Sequence, residues 1–136
     1  HGRRMSTIII HPEPLRDVML VVGMIKAMKK RVGLALKPET PVSAIKRYLP
    51  LIDVVVILTV HPGYYGAKYL PAPLKKIGQI KKINPAVEVI VDGGMNPSRV
   101  KEVARAGADA IVSGSFLTKA EHPKKAMEEL RKGLRS

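Results

Sequence analysis

Residues 54–59, Val-Val-Val-Ile-Leu-Thr, form a run that is nearly all β-branched or apolar and has no polar side. A strand of this kind must be covered on both faces, which is the situation of a central strand in a parallel sheet under helices. Comparable runs occur at 6–10, 32–36, 87–91 and 110–113. Each is followed by a stretch with helical signals. Residues 15–30 place Leu15, Val18, Met19, Val22 and Ile25 on one face and end in a basic turn. Thr40 and Pro41 suit the N-cap and first position of a short helix running to about Tyr48. A helix over about 72–82 stops at Asn84-Pro85. Another over 97–106 has Asn96 as its cap and Gly107 as its stop. The last covers 123–134, with Glu128 and Glu129 on the same helix as Arg131 and Lys132. Five alternating strand-helix units predict an α/β fold with one parallel sheet. Nothing in the pattern marks a linker, so residues 6–136 are expected to form one domain. Residues 1–5 read as a tag remnant or a disordered start.

Function in parallel α/β proteins sits at the C-terminal ends of the strands. Those ends are His11-Pro12-Glu13, Lys37-Pro38-Glu39-Thr40, residues 60–66, Asp92-Gly93-Gly94 and Gly114-Ser115. Three of them carry glycine. The fourth is the most informative: Val89-Ile90-Val91 delivers a carboxylate, two glycines follow, and Pro97 opens a helix. Glycines at that point expose backbone N–H groups to close approach by a phosphate. The plainer reading is that Asp92 only caps the turn and that Gly93-Gly94 only make it tight.

The net charge of +13, from 24 basic and 11 acidic residues, raises nucleic acid as a partner. The basic residues are spread over several helices, however, and one Phe, four Tyr and no Trp leave little for base stacking. A Lys-rich solvated surface accounts for the charge better. With no Cys, disulfides and thiolate metal sites are excluded. No apolar run approaches 18 residues and no signal peptide is evident, so the expected location is cytoplasmic.

Taken together the strand mouths carry a resemblance. Val91-Asp92-Gly93-Gly94, Thr59-Val60-His61-Pro62-Gly63-Tyr64, and Ala106-Gly107-Ala108-Asp109 leading to Val112-Ser113-Gly114-Ser115 resemble the ribulose-phosphate 3-epimerase family. Gly33-Leu34-Ala35-Leu36-Lys37-Pro38 with Thr40, and Ile10-His11 with Glu13, fit the same family in order and spacing. The resemblance implies a (β/α) barrel of ribulose-phosphate-binding type, here a partial barrel of about five parallel units matching the fourth to the eighth strands. It also implies interconversion of D-ribulose 5-phosphate and D-xylulose 5-phosphate in the pentose phosphate pathway. By resemblance, Asp92 is one catalytic acid/base and also a metal ligand. Gly93, Gly94, Gly114 and Ser115 match the phosphate cradle, and Gly63 to Gly66 match the loop that closes over substrate. The implied cofactor is a divalent metal, zinc first, with manganese, iron or cobalt as alternatives.

Some features depart from the family pattern. Tyr65 stands where the family has Gly, Ala67 where it has Gln, and Leu58 where it tends to have Met. The family's other acid/base Asp and two metal-binding His residues lie on strands with no counterpart in this sequence. His11 and His61 are not at the metal-binding positions. The expectation is therefore a truncated form with an incomplete catalytic and metal site, and self-association that covers the open side of the sheet. Rival readings are a non-catalytic sugar-phosphate module, a basic nucleic-acid-binding domain, and an epimerase for a six-carbon sugar phosphate.

Overall fold

The computed structural model describes residues 6–61 and 68–112, together with His122, Lys124, Lys125, Glu128, Glu129, Arg131 and Lys132. The expected start at 1–5, Gly63 and Gly66 of the closing loop, and Gly114 and Ser115 lie outside the described residues.

Among the described residues five strands form one sheet in chain order. They are β1 (Thr7–Ile10), β2 (Arg31–Leu36), β3 (Val54–Leu58), β4 (Glu88–Asp92) and β5 (Ala110–Val112), and every neighbouring pair is parallel. Three α-helices cross between them: α1 (Val18–Ala27), α2 (Lys75–Ile83) and α3 (Pro97–Arg105). The β2–β3 crossover is made of two 3-10 segments, Val42–Ala44 and Lys46–Leu51. The expected α/β partial barrel is what forms.

Strand periodicity sorts the side chains. Val32, Leu34, Leu36, Val55, Ile57, Val89 and Val91 face outward and pack with Val18, Val22, Ile25, Ile45, Leu49, Ile77, Ile80, Val100 and Val103 from the crossovers. Ala35, Val54, Val56 and Leu58 form a second buried cluster on the inner face, with Ile90 packed against it. All five residues of β3 are buried, as its unbroken apolar run requires. Each buried aliphatic side chain contributes about 1.5–3 kcal/mol.

Two aspartates tie the N-terminal ends of the strands. Asp53 Oδ2 accepts from the Val32 N–H at 2.9 Å, and Asp109 Oδ2 accepts from the Val89 N–H at 2.8 Å. Both sit just before a strand and hold the start of its neighbour.

Three local expectations are corrected. Helix α1 starts at Val18 and not at Leu15, because the Asp17 carboxylate caps it by accepting from the Leu20 N–H at 3.0 Å. It ends at Ala27 because Lys29 takes a left-handed conformation, φ 61°, and the Lys30 N–H folds back to the Ile25 carbonyl. Met19, expected on the buried face, is exposed, along with Leu20, Met24 and Met28. Finally, Thr40 does not cap a helix. Its hydroxyl donates to Glu13 Oε2 at 2.8 Å, and Pro50 within the following segment keeps it in 3-10 form.

Candidate active site

Asp92 is the last residue of β4, level with Leu58 of β3 and Val112 of β5. Ile90, two residues earlier, belongs to the inner cluster, while Val91 belongs to the outer one. Asp92 therefore stands on the inner face, at the rim where strands become loops. It is partly buried, and burial pushes its carboxyl above the usual carboxylate range.

The chain then turns through two residues that only glycine tolerates well. Gly93 has φ 121° and Gly94 φ 67°. A Cβ on Gly93 would lie 2.7 Å from Val60 Cγ2, and one on Gly94 would lie 3.3 Å from Tyr69 Cβ and Cδ1. The turn is held from two sides. Fully buried Thr59 points its hydroxyl at the Gly93 carbonyl, 2.6 Å away, with the Asp92 carbonyl at 3.2 Å. On the other side Arg99 Nη1 donates to the Gly94 carbonyl at 2.6 Å. The Arg99 guanidinium lies over the Tyr69 ring, 4.4 Å from its centroid. Burial, followed by the Glu102 charge, pushes the Tyr69 phenol up, while Arg99 opposes the shift. Pro97 opens α3, and Asn96 Oδ1 caps it by accepting from the Arg99 N–H at 3.0 Å. The start of the helix thus fixes where Arg99 leaves the backbone.

The mouths of β1 and β2 are occupied by a structural network. Glu13 Oε2 accepts from the Lys37 N–H at 3.0 Å and from Thr40. Burial pushes the Glu13 carboxyl up, but these hydrogen bonds outweigh it and hold it below its ordinary value. Buried Lys76 donates from Nζ to the Lys37 and Pro38 carbonyls, both at 3.0 Å. Its burial lowers the amine, against the pull of Glu39 and Glu13. His61 Nδ1 lies 3.3 Å from Glu39 Oε2, at an exposed pair.

Asp92, Gly93 and Gly94 thus come together at one strand mouth. His11 and His61 do not join them in a ligand set: among the described residues no group of three or more His, Cys, Asp or Glu is placed to hold a metal ion. Arg99 and Tyr69 were not marked by the sequence reading. The available signal was a cation on the first turn of the helix that follows the double glycine.

The sequence model of the Ribulose-phosphate 3 epimerase family matches residues 2–118. The chain belongs to the ribulose-phosphate 3-epimerase family. Named relatives agree. Ribulose-5-phosphate-3-epimerase, chloroplastic, of Arabidopsis thaliana is 34% identical over 137 residues, covering 96% of this chain and 45% of the relative. The cytoplasmic isoform of Oryza sativa subsp. japonica is 35% identical over 136 residues, covering 95% and 58%. The Escherichia coli K12 enzyme is 32% identical over 133 residues, covering 95% and 59%. This epimerase-family chain spans about half the length of the curated relatives it matches. Among solved structures, 3-hexulose-6-phosphate synthase from Salmonella typhimurium superimposes with a TM-score of 0.70 at 21% identity, covering 96% of this chain and 62% of that one. Thiamine phosphate pyrophosphorylase from Pyrococcus furiosus gives 0.65 at 23% identity, covering 96% and 59%. These likenesses bear on the fold alone and agree with a partial (β/α) barrel.

Proposed function

We propose that this chain carries the phosphate-holding side and one of the two acid/base carboxylates of a ribulose-phosphate 3-epimerase site. The observation that carries the reading is Asp92 on the inner rim of β4, followed at once by the left-handed Gly93-Gly94 turn. In this reading the turn holds the 5-phosphate, with Gly114 and Ser115 completing the cradle and Gly63 to Gly66 closing over it. Asp92 moves the proton at C3 of D-ribulose 5-phosphate. That proton is acidic because C3 adjoins the C2 carbonyl, and its removal leaves a planar enediolate. Reprotonation on the opposite face gives D-xylulose 5-phosphate and needs a second proton carrier across the plane. By the resemblance, the family's other acid/base Asp lies on a strand with no counterpart in this sequence. The chain alone is therefore a half-site, which fits its share of the relatives' length.

The resemblance implies a divalent metal, with zinc first among the alternatives. Asp92 is the only family ligand present, and the described residues do not supply the rest. The residues in hand do not fit a complete metal centre, and no proton step here runs through one. The pathway that goes with this chemistry is pentose phosphate metabolism. We place the chain in the cytoplasm, as the name of the rice relative does for that protein; no helix among the described residues is long and apolar enough to cross a membrane. Homo-oligomer formation belongs to the same reading, supported by exposed Ile9 on outer strand β1, exposed Leu20 and Met24 on α1, and exposed Met28 at its C-cap.

Calorimetric titration with D-ribulose 5-phosphate tests the proposal. Saturable binding is expected, weakened at least about tenfold in Gly94→Ala, since a Cβ at positive φ distorts the cradle. Absence of binding, or binding indifferent to Gly94→Ala, would contradict it.

A further inference from the structure

The Gly93-Gly94 turn does not hold its shape alone. No peptide bond among the described residues is cis, so each N–H there points opposite to the carbonyl of its own peptide unit. With the Gly93 carbonyl directed at Thr59 Oγ1, the Gly94 N–H is turned away from Thr59. With the Gly94 carbonyl directed at Arg99 Nη1, the Met95 N–H is turned away from Arg99. The two carbonyls of the turn are thus taken up by Thr59 and Arg99, and the Gly94 and Met95 N–H groups point away from those partners. Thr59 is fully buried. Arg99 is held by three things: the Asn96 cap that fixes its backbone, the Tyr69 ring under its guanidinium, and the carbonyl it serves. Tyr69 Cβ and Cδ1, each 3.3 Å from where a Cβ on Gly94 would stand, and Arg99 Nη1, at 3.5 Å, close the same side of Gly94. The guanidinium has five N–H donors in a planar fork, and the Gly94 carbonyl takes one of them. It therefore brings a permanent positive charge to a turn whose other contributions are neutral dipoles.

We propose that Arg99 is a positioning residue for the phosphate: stacked on Tyr69, it sets the orientation of the Gly93-Gly94 turn and keeps one fixed cation beside that turn. This rests on the phosphate reading of the turn given above. It adds a specificity element, because a stacked guanidinium favours a phosphate dianion over a neutral sugar of the same shape.

The test uses the whole chain and inorganic phosphate at constant ionic strength, with dissociation constants and melting temperatures measured together. Arg99→Met removes the charge and the donor while keeping most of the packing, and is expected to weaken phosphate binding about tenfold, the scale of one charge-assisted hydrogen bond. Arg99→Lys restores the charge without the planar fork and is expected to recover only part of the loss. Tyr69→Leu leaves Arg99 in place but removes its platform, and is expected to weaken binding severalfold. In ligand-free Arg99→Met, the amide resonances of Gly94 and Met95 are expected to shift. A merely structural role would lower the melting temperature without this pattern. Should Arg99→Met fail to fold, Arg99→Lys and Tyr69→Leu carry the same comparison.

Binding in Arg99→Met within about twofold of the unmodified chain, with Gly94→Ala binding abolished, overturns the role of Arg99 and leaves the phosphate site standing. An unmodified chain that does not bind phosphate, or a Gly94→Ala variant that binds it unchanged, overturns the phosphate reading and this inference with it.

Discussion

Thr59 shows how much of the site depends on a single buried atom. Its hydroxyl has no access to water and serves the carbonyls of Gly93 and Asp92. Thr59→Val keeps the shape and deletes the donor, so it is expected to cost about 1–3 kcal/mol in denaturant unfolding. A loss indistinguishable from zero would mean that the turn does not depend on this clamp. Asp92 behaves differently in this account, because it works on the sugar and not on the phosphate. Asp92→Asn is expected to leave D-ribulose 5-phosphate affinity within about threefold, and a larger loss in calorimetry would assign Asp92 to binding. Asp92 and the double glycine were legible in the sequence because a strand-end carboxylate and a forced turn are local signals. Arg99 and Tyr69 were not, because their stacking joins a helix to a residue on the far side of a loop. Only the fold brings them together.

Among the elements, the same contrast holds for caps. Asn96-Pro97 reads correctly as the start of α3, since the cap bond spans three residues. Thr40 misleads because its hydroxyl is claimed by Glu13, a contact made across the mouths of β1 and β2. Asn96→Ala is expected to destabilise the protein by about 1 kcal/mol, and Asn96→Ser to recover most of it, in thermal or denaturant melts. Equal effects from both would argue against the cap. At the end of α1, Lys29 carries the cost of a left-handed backbone. Lys29→Gly is expected to raise stability by up to about 1 kcal/mol, and a fall would show that the Lys29 side chain contributes more than its backbone costs.

The tie between β4 and β5 gives a pH dependence. Burial pushes the Asp109 carboxyl up, but hydrogen bonds from Lys81 and the Val89 N–H, with the Lys81 charge, outweigh it and hold it below its ordinary value. A carboxylate lowered in the folded state adds stability above its unfolded pKa, near 4, and loses it as pH falls through the folded value. Asp109→Asn is therefore expected to be less stable than the unmodified chain at pH 7, with the gap closing at and below about pH 4. A gap of constant size from pH 7 to pH 3 would show that the charge is not what matters.

For the whole molecule, the strand-helix alternation was enough to set the sheet, its parallel order and the crossovers that cover its outer face. What the pattern missed is how α1 is used. Val18, Val22 and Ile25 suffice to seat it on the sheet, and Lys26 Nζ binds the Leu51 carbonyl at 2.9 Å on one flank. Leu20, Met24 and Met28, spaced by one helical turn, are left exposed on another flank, and periodicity alone does not tell a helix buried on one side from one buried on two. If this flank and outer strand β1 mediate self-association, sedimentation velocity should show concentration-dependent growth that Leu20→Lys with Met24→Lys suppresses. A monomer at all concentrations would remove that part of the account.

The proposed half-site has a phosphate seat and one acid/base carboxylate without the opposite face. Metal-supplemented turnover of D-ribulose 5-phosphate, read through a detector of D-xylulose 5-phosphate on protein that binds the sugar phosphate in the same preparation, tests it most directly. The expected result is saturable binding with no epimerisation above background. Robust turnover that Asp92→Asn abolishes would contradict the half-site, and would require a second proton carrier from elsewhere in the chain or from an associated subunit.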